Sequence, residues 1–334
     1  MKLATFVDAR GVAAIGCVDA DARTVTDLQA AHRARHGQAS PLLADMLALI
    51  DGGDAALHLA HELCRWSDGA HAAPLAGVRL LAPVPVPRQI RDCNNFAQHM
   101  RDARIGMARL QARLAGAAEP PRDAPQAPIA PVNFRHIVFY ISNRFNVVGP
   151  DCDIEWPAYS DWLDYEGEFG IFIGRRGRNI RKQDAYEHVF GYAIFNDFSA
   201  RDQQAEEMEG RMGPTKGKSF DTGNAIGPWI VTRDEIPDPR ALTVTVRVNG
   251  QQRARAGTEA MIHGFDDILA YISRHETLHP GEFIGSGTIG GCCGLETDHW
   301  LKDGDVVEIE VDRIGVLRNR VTRQADGKLA QHDR

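Results

Sequence analysis

The 334-residue sequence predicts an α+β fold rich in strands, with a small N-terminal α+β domain over residues 1–80 and a larger domain over residues 85–322. Short apolar and β-branched runs bounded by turn residues recur through the second half of the chain, the mark of successive strands. Helical spacing of apolar residues is confined to a few segments. Between the halves, LAPVPVPR (81–88) places proline at every second position, which excludes helix and reads as an extended linker.

Taken in order, Leu3 to Val7 and Val12 to Val18 read as strands joined by a turn at Arg10-Gly11. A helix follows, capped by Ser40 with Pro41 in its first turn, with Leu43, Met46, Leu47 and Ile50 on one face and a stop at Gly52-Gly53. Beyond the linker, a helix from about His99 carries Met107, Leu110 and Leu114 at three- and four-residue spacing. The Pro- and Ala-rich run Glu119 to Pro131 cannot continue it and reads either as a flap over a site or as an exposed loop. Strands are then expected at Ile137–Ile141, Glu168–Ile173, Tyr192–Phe195, Trp229–Thr232, Leu242–Val248 and Val306–Val311, with Asn249-Gly250 as a tight hairpin turn. One amphipathic helix interrupts them, burying Phe265, Ile268, Leu269 and Ile272. The polar segment 323–334 is expected to fray.

A net charge of -7 and a pI near 6.0 give no basic excess, so neither a nucleic-acid backbone nor an anionic membrane is an expected partner. The absence of a signal-like or membrane-length apolar run leads us to expect a cytoplasmic protein acting on a small molecule. Six cysteines without CxxC spacing argue for reduced thiols rather than a disulfide framework or a structural zinc site. Two motif matches fail on context. His275-Glu276-Thr277-Leu278-His279 fits HExxH, but Pro280 biases His279 away from helix, so the imidazoles would not share a face. Gly285 to Gly290 fits GxGxxG, but Gly291-Cys292-Cys293-Gly294 is a poor helix start for a dinucleotide site, leaving a glycine-rich loop that lines a site.

The chemistry-bearing pattern is acidic. Glu166 and Glu168 stand two apart at the head of an apolar strand, and so on one face of it, where paired like charges are either tolerated on a solvated surface or offset by a cation. The next strand ends in Asn196-Asp197, a further carboxylate at a strand end. With no His or Cys beside these acids, the implied ion is hard: magnesium, manganese or calcium.

The strings LDYEGEFGIFIG (163–174), NDFSARDQQ (196–204), GKSFDTGNAIGPWIVT (217–232) and GSGTIGG (285–291), in this order and spacing, resemble the fumarylacetoacetate hydrolase family over about residues 85–320. The resemblance implies a mixed β-sandwich roll for residues 85–322, a homodimer, and one divalent cation, Mg2+ or Mn2+ with Ca2+ as a further candidate, held by Glu166, Glu168, Asp197 and Asp92. It implies His99 as the catalytic histidine, partnered by Glu296 or by Asp102, with Lys218 and Arg201 as catalytic cations. Gln204, Tyr140 and Thr288 are expected to contact substrate, with Arg109, Arg135 and Arg144 in the pocket-shaping segment Met107 to Phe145. Asn94, where the eukaryotic branch has tyrosine, and Ile289, where many bacterial relatives have proline, depart from the pattern.

The implied reaction is hydrolysis of a carbon–carbon bond in a diketo acid. A 1,3-dicarbonyl chelates a hard cation, which stabilises the departing enolate, while a histidine activates water. The same enolate also serves 2-oxo acid decarboxylation, hydration, or isomerisation of a hydroxymuconate-type compound.

Overall fold

The computed structural model describes residues 1–8, 10–19, 21–125 and 128–323; apart from Arg323, the segment expected to fray lies outside these residues. Among them, strands assemble into a 12-stranded mixed sheet, a five-stranded sheet packed on one of its faces, and a two-stranded ribbon. The α+β, β-rich class read from the sequence is the class observed.

The centre of the large sheet consists of Gly167–Ile173, Val189–Asp197 and Asn224–Thr232, antiparallel neighbours buried along their whole length. Because successive side chains point to opposite faces, one strand feeds two cores. Phe169 and Ile171 join Tyr192 and Ile194 against Val244, Val246, Ile309 and Leu317 of the five-stranded sheet. Phe172 joins Phe195, Ile226, Ile230 and Phe283 in a second core with Leu28, Leu49 and Leu63 from helices of the first 80 residues. That first segment also donates five strands to the large sheet, of which Lys2–Val7 pairs antiparallel with Asn224–Thr232, so the sheet runs unbroken across the proline-rich stretch 81–88.

The hairpin turn at Asn249-Gly250 forms as expected, both residues having positive φ between Thr243–Val248 and Gln251–Gly257. The expected stop at Gly52-Gly53 does not end the helical region. Met46–Asp51, capped by Asp45 rather than Ser40, gives way directly to a helix over Gly53–Ser67. Gly53 accommodates the redirection with a φ of 55°, and a further helix, Leu28–His36, capped by Asp27, went unread. His275–His279 lies in turns and bends, so its imidazoles share no helix face. Gly285–Gly290 leads through a loop into the four-residue helix Gly294–Thr297.

Candidate active site

The sheet carries its acids to one place. Asp92 is the penultimate residue of the strand Ile90–Cys93, Glu168 stands in Gly167–Ile173 and Asp197 ends Val189–Asp197. These three buried carboxylates present oxygens that all lie within 4.8 Å of one another. The close approach depends on Gly285 in the adjacent strand, where a Cβ would stand 2.5 Å from Asp92 Oδ1 and 3.1 Å from Glu168 Oε2. The loop that follows turns its donors onto the cluster. Gly287 N–H donates to Glu168 Oε2 at 3.0 Å and to Asp92 Oδ1 at 3.2 Å, and the Thr288 hydroxyl donates to Glu168 Oε1 at 3.1 Å.

Tyr140 O–H and Lys218 Nζ both donate to Asp197 Oδ2, each at 2.6 Å. Asp197 Oδ1 is buried and accepts no hydrogen bond. Two unit charges 4.8 Å apart at an effective dielectric of about 20 repel by about 3–4 kcal/mol, and of this trio Lys218 touches Asp197 alone. Burial and the neighbouring acids accordingly raise all three groups. Asp92 is pushed up to about 6, Asp197 to about 7, and Glu168 well above the usual carboxylate range. Three desolvated oxygen donors, one of them unpartnered, fit a hard divalent cation.

Glu166 lies outside this trio, in contrast to the paired arrangement expected from its spacing to Glu168. One of its oxygens meets Arg201 Nη1 at 2.7 Å and the other accepts from Lys218 Nζ, which thereby bridges Glu166 and Asp197. Burial alone would raise the Glu166 carboxyl, but the charges of Arg201 and Lys218 outweigh it and hold the group well below its usual range. Burial would lower the pKa of both cations, but the charges of Glu166 and Asp164 on Arg201, and of Asp197 and Glu166 on Lys218, outweigh it and keep both protonated.

His99 sits in the first turn of the helix Ala97–Leu114, and its Nδ1 lies 2.8 Å from Glu296 Oε1 in the short helix Gly294–Thr297. Of the two partners considered for it, Glu296 makes the contact. Asp102 instead lines a cavity beside this pair, together with Gly106, Arg109, Arg122, Leu295 and Asp298. Burial lowers the His99 pKa, but the Glu296 charge and hydrogen bond outweigh it and the net shift is upward.

One important residue escaped the sequence reading. Asp164, fully buried, accepts from Arg201 Nε at 2.9 Å and Nη2 at 2.7 Å, and from the backbone N–H of Gly294 at 2.8 Å and Leu295 at 2.9 Å. It thus ties Arg201 to the start of the helix that carries Glu296. Its place at the head of the acidic run was visible, but its burial was not. Arg201 Nη1 donates to Gln204 Oε1 at 2.8 Å, setting the amide orientation. Of the arginines assigned to the pocket, Arg109 lines the cavity, Arg135 is exposed, and Arg144 donates to the carbonyl of Pro87.

Residues 89–322 match the family model "Fumarylacetoacetate (FAA) hydrolase C-terminal". The chain is 30% identical over 308 residues to the oxaloacetate tautomerase YisK of Bacillus subtilis (strain 168), covering 90% of this chain and 94% of that one. It resembles the solved fumarylacetoacetate hydrolase of psychrophilic Exiguobacterium antarcticum with a TM-score of 0.72 and 31% identity, over 97% of this chain and 100% of that one. The structure of maleylpyruvate hydrolase from Sphingobium sp. SYK-6 in complex with manganese(II) ion and pyruvate matches with a TM-score of 0.69 and 25% identity, over 97% and 99% of the two chains.

Proposed function

Since this chain belongs to the fumarylacetoacetate hydrolase family, we propose that it hydrolyses a carbon–carbon bond in a diketo acid of the fumarylacetoacetate, fumarylpyruvate or acylpyruvate type. The observation that carries the hydrolytic reading is the His99–Glu296 pair at 2.8 Å, whose imidazole feels the charge of Glu166, itself joined to Asp197 of the carboxylate cluster through Lys218. With the Nδ1 proton held by Glu296, the neutral His99 ring offers Nε2 as the base that takes a proton from the attacking water.

Asp92, Glu168 and Asp197 would hold one divalent cation, Mg2+ or Mn2+ with Ca2+ also suited to the oxygen donors, and Glu166 stands next to them through Lys218. When bound, such a cation supplies Lewis-acid polarisation of two substrate oxygens. Water oxygen then adds to the acyl carbonyl, the carbon–carbon bond breaks, and its electron pair becomes the enolate of the leaving 2-oxo acid. His99 returns the proton to that carbon. Lys218 and Arg201, buried and fixed by Glu166, Asp197 and Asp164, offset negative charge developing on oxygen at no cost in reorganisation. The Gln204 amide nitrogen, oriented by Arg201, is the substrate-facing donor, while Tyr140 and Thr288, whose hydroxyl protons go to Asp197 and Glu168, offer substrate their oxygen lone pairs.

A second reading, tautomerisation of a 2-oxo diacid, is favoured by the likeness to an oxaloacetate tautomerase. It moves one proton between carbon and oxygen and consumes no water. Incubating the protein and Mn2+ with acylpyruvates and with enol oxaloacetate separates the two. Hydrolysis releases pyruvate and a carboxylic acid as enol absorbance falls, whereas tautomerisation loses the enol without cleavage. Full turnover after exhaustive chelation would overturn both. We also propose, on the family resemblance alone, a cytoplasmic homodimer, which light scattering and cell fractionation check. Among the described residues no helix is long and apolar enough to cross a membrane.

A further inference from the structure

We propose that the chain carries a second, softer metal site, built from His99, Cys293 and Glu296, at which zinc binds and silences the histidine. The Cys293 thiol lies 4.0 Å from His99 Nδ1, which is itself 2.8 Å from Glu296 Oε1, and one donor atom from each residue lies within 4.8 Å of the others. Tetrahedral zinc with bonds of about 2.3 Å to sulfur and about 2.0–2.1 Å to nitrogen and oxygen spaces its donors by roughly 3.3–3.6 Å. Movements of about half an ångström bring the His99 contacts to that spacing.

A further observation points to a ligand. The Glu296 side chain is 2% exposed, and its second oxygen, Oε2, is buried with no hydrogen-bond partner. A buried carboxylate oxygen without a donor is costly, and a cation held by Nδ1, Sγ and the Glu296 carboxylate through both its oxygens satisfies it while replacing the hydrogen bond that Oε1 gives up. The fourth position is left to solvent from the cavity that Glu296 lines.

The donor chemistry separates this site from the oxygen-only trio of Asp92, Glu168 and Asp197. Thiolate and imidazole select zinc, whereas carboxylates alone select harder ions. Binding releases one proton, from the Cys293 thiol, and the imidazole proton passes from Nδ1 to Nε2 as zinc takes Nδ1. The inhibitory consequence rests on the role proposed for His99: Nε2, now protonated, cannot accept a proton from water. Occupancy of the site does not depend on that role.

The test uses the full chain saturated with Mg2+ and titrated with Co2+ as a coloured stand-in for zinc. The expected result is a near-ultraviolet thiolate-to-cobalt charge-transfer band that added Zn2+ abolishes. Cys293→Ser and His99→Gln should each lose it, while Cys152→Ser and Glu168→Gln should keep it. Absence of the band in the wild-type chain, its survival in Cys293→Ser, or its loss in Glu168→Gln would overturn the proposal; circular dichroism confirms that each variant is folded. In a turnover assay, Cys293→Ser should need about tenfold more Zn2+ than the wild type for half-inhibition. Equal sensitivity, with the band confirmed, would sink the inhibitory role of the site while leaving the reading of His99 in place.

Discussion

At the scale of single residues, the candidate site is a balance of buried charges, and its pH response follows from one of them. His99 must be neutral to accept a proton, and its pKa is raised above the ordinary 6.5 because the Glu296 charge and hydrogen bond outweigh burial. kcat/KM should therefore fall as pH drops through a midpoint above 6.5. Glu296→Gln removes the two largest raising causes and leaves burial to lower the pKa, so a pH–rate profile should show that midpoint moving to lower pH; an unmoved limb would mean another group is being titrated. His99→Ala should cost about 10²–10⁴-fold in kcat under hydrolysis, read in a stopped assay of pyruvate release. Lys218→Met leaves Glu166 and Asp197 without the ammonium they share. Loss of one partner of a buried pair costs about 3–5 kcal/mol, which urea denaturation in chelator would register. Glu168, Asp197, Lys218 and Arg201 were legible because their motifs carry them, and Asp92 because it stands seven residues before His99. That Glu166 would turn to Arg201 and Lys218 was not, because spacing along a strand says which face a side chain takes and nothing about which cations reach it from elsewhere.

Elements position these residues through close backbone approach. The helix Ala97–Leu114 crosses the segment bearing Glu296 at Gly106, where a Cβ would stand 2.2 Å from the carbonyl oxygen of Leu295. No side chain fits without pushing the helix, and His99 with it, off Glu296. Gly106→Ala should cost about 1–3 kcal/mol in thermal or urea unfolding and lower kcat more than it alters KM, because it misplaces the base rather than the substrate contacts. The helix itself was readable from Met107, Leu110 and Leu114, but the demand for glycine at 106 was not, since it comes from a segment almost two hundred residues away. The helices Leu28–His36 and Gly53–Ser67 were missed for a related reason. Half of their buried residues are alanines, Ala31, Ala56 and Ala60, which join the second core yet scarcely register as an apolar stripe.

For the whole molecule, the first 80 residues complete the sheet rather than merely accompany it. Their strand Lys2–Val7 pairs with Asn224–Thr232, and Leu3, Leu28, Leu49 and Leu63 share a core with Phe172, Phe195 and Phe283. A chain beginning at residue 85 exposes that apolar face and an open strand edge, and should elute from size exclusion as aggregate. Recovery of a folded, soluble species would show that the face is covered in another way. The proline-rich stretch at 81–88 was visible as an extended segment, while the pairing that carries the sheet past it depends on register across more than two hundred residues, beyond the reach of local pattern. The loop from Gly285 to Glu296 holds Glu168 and Asp92 at its start and His99 at its end. Heritable variation in this stretch would therefore disturb the carboxylates and the base at once.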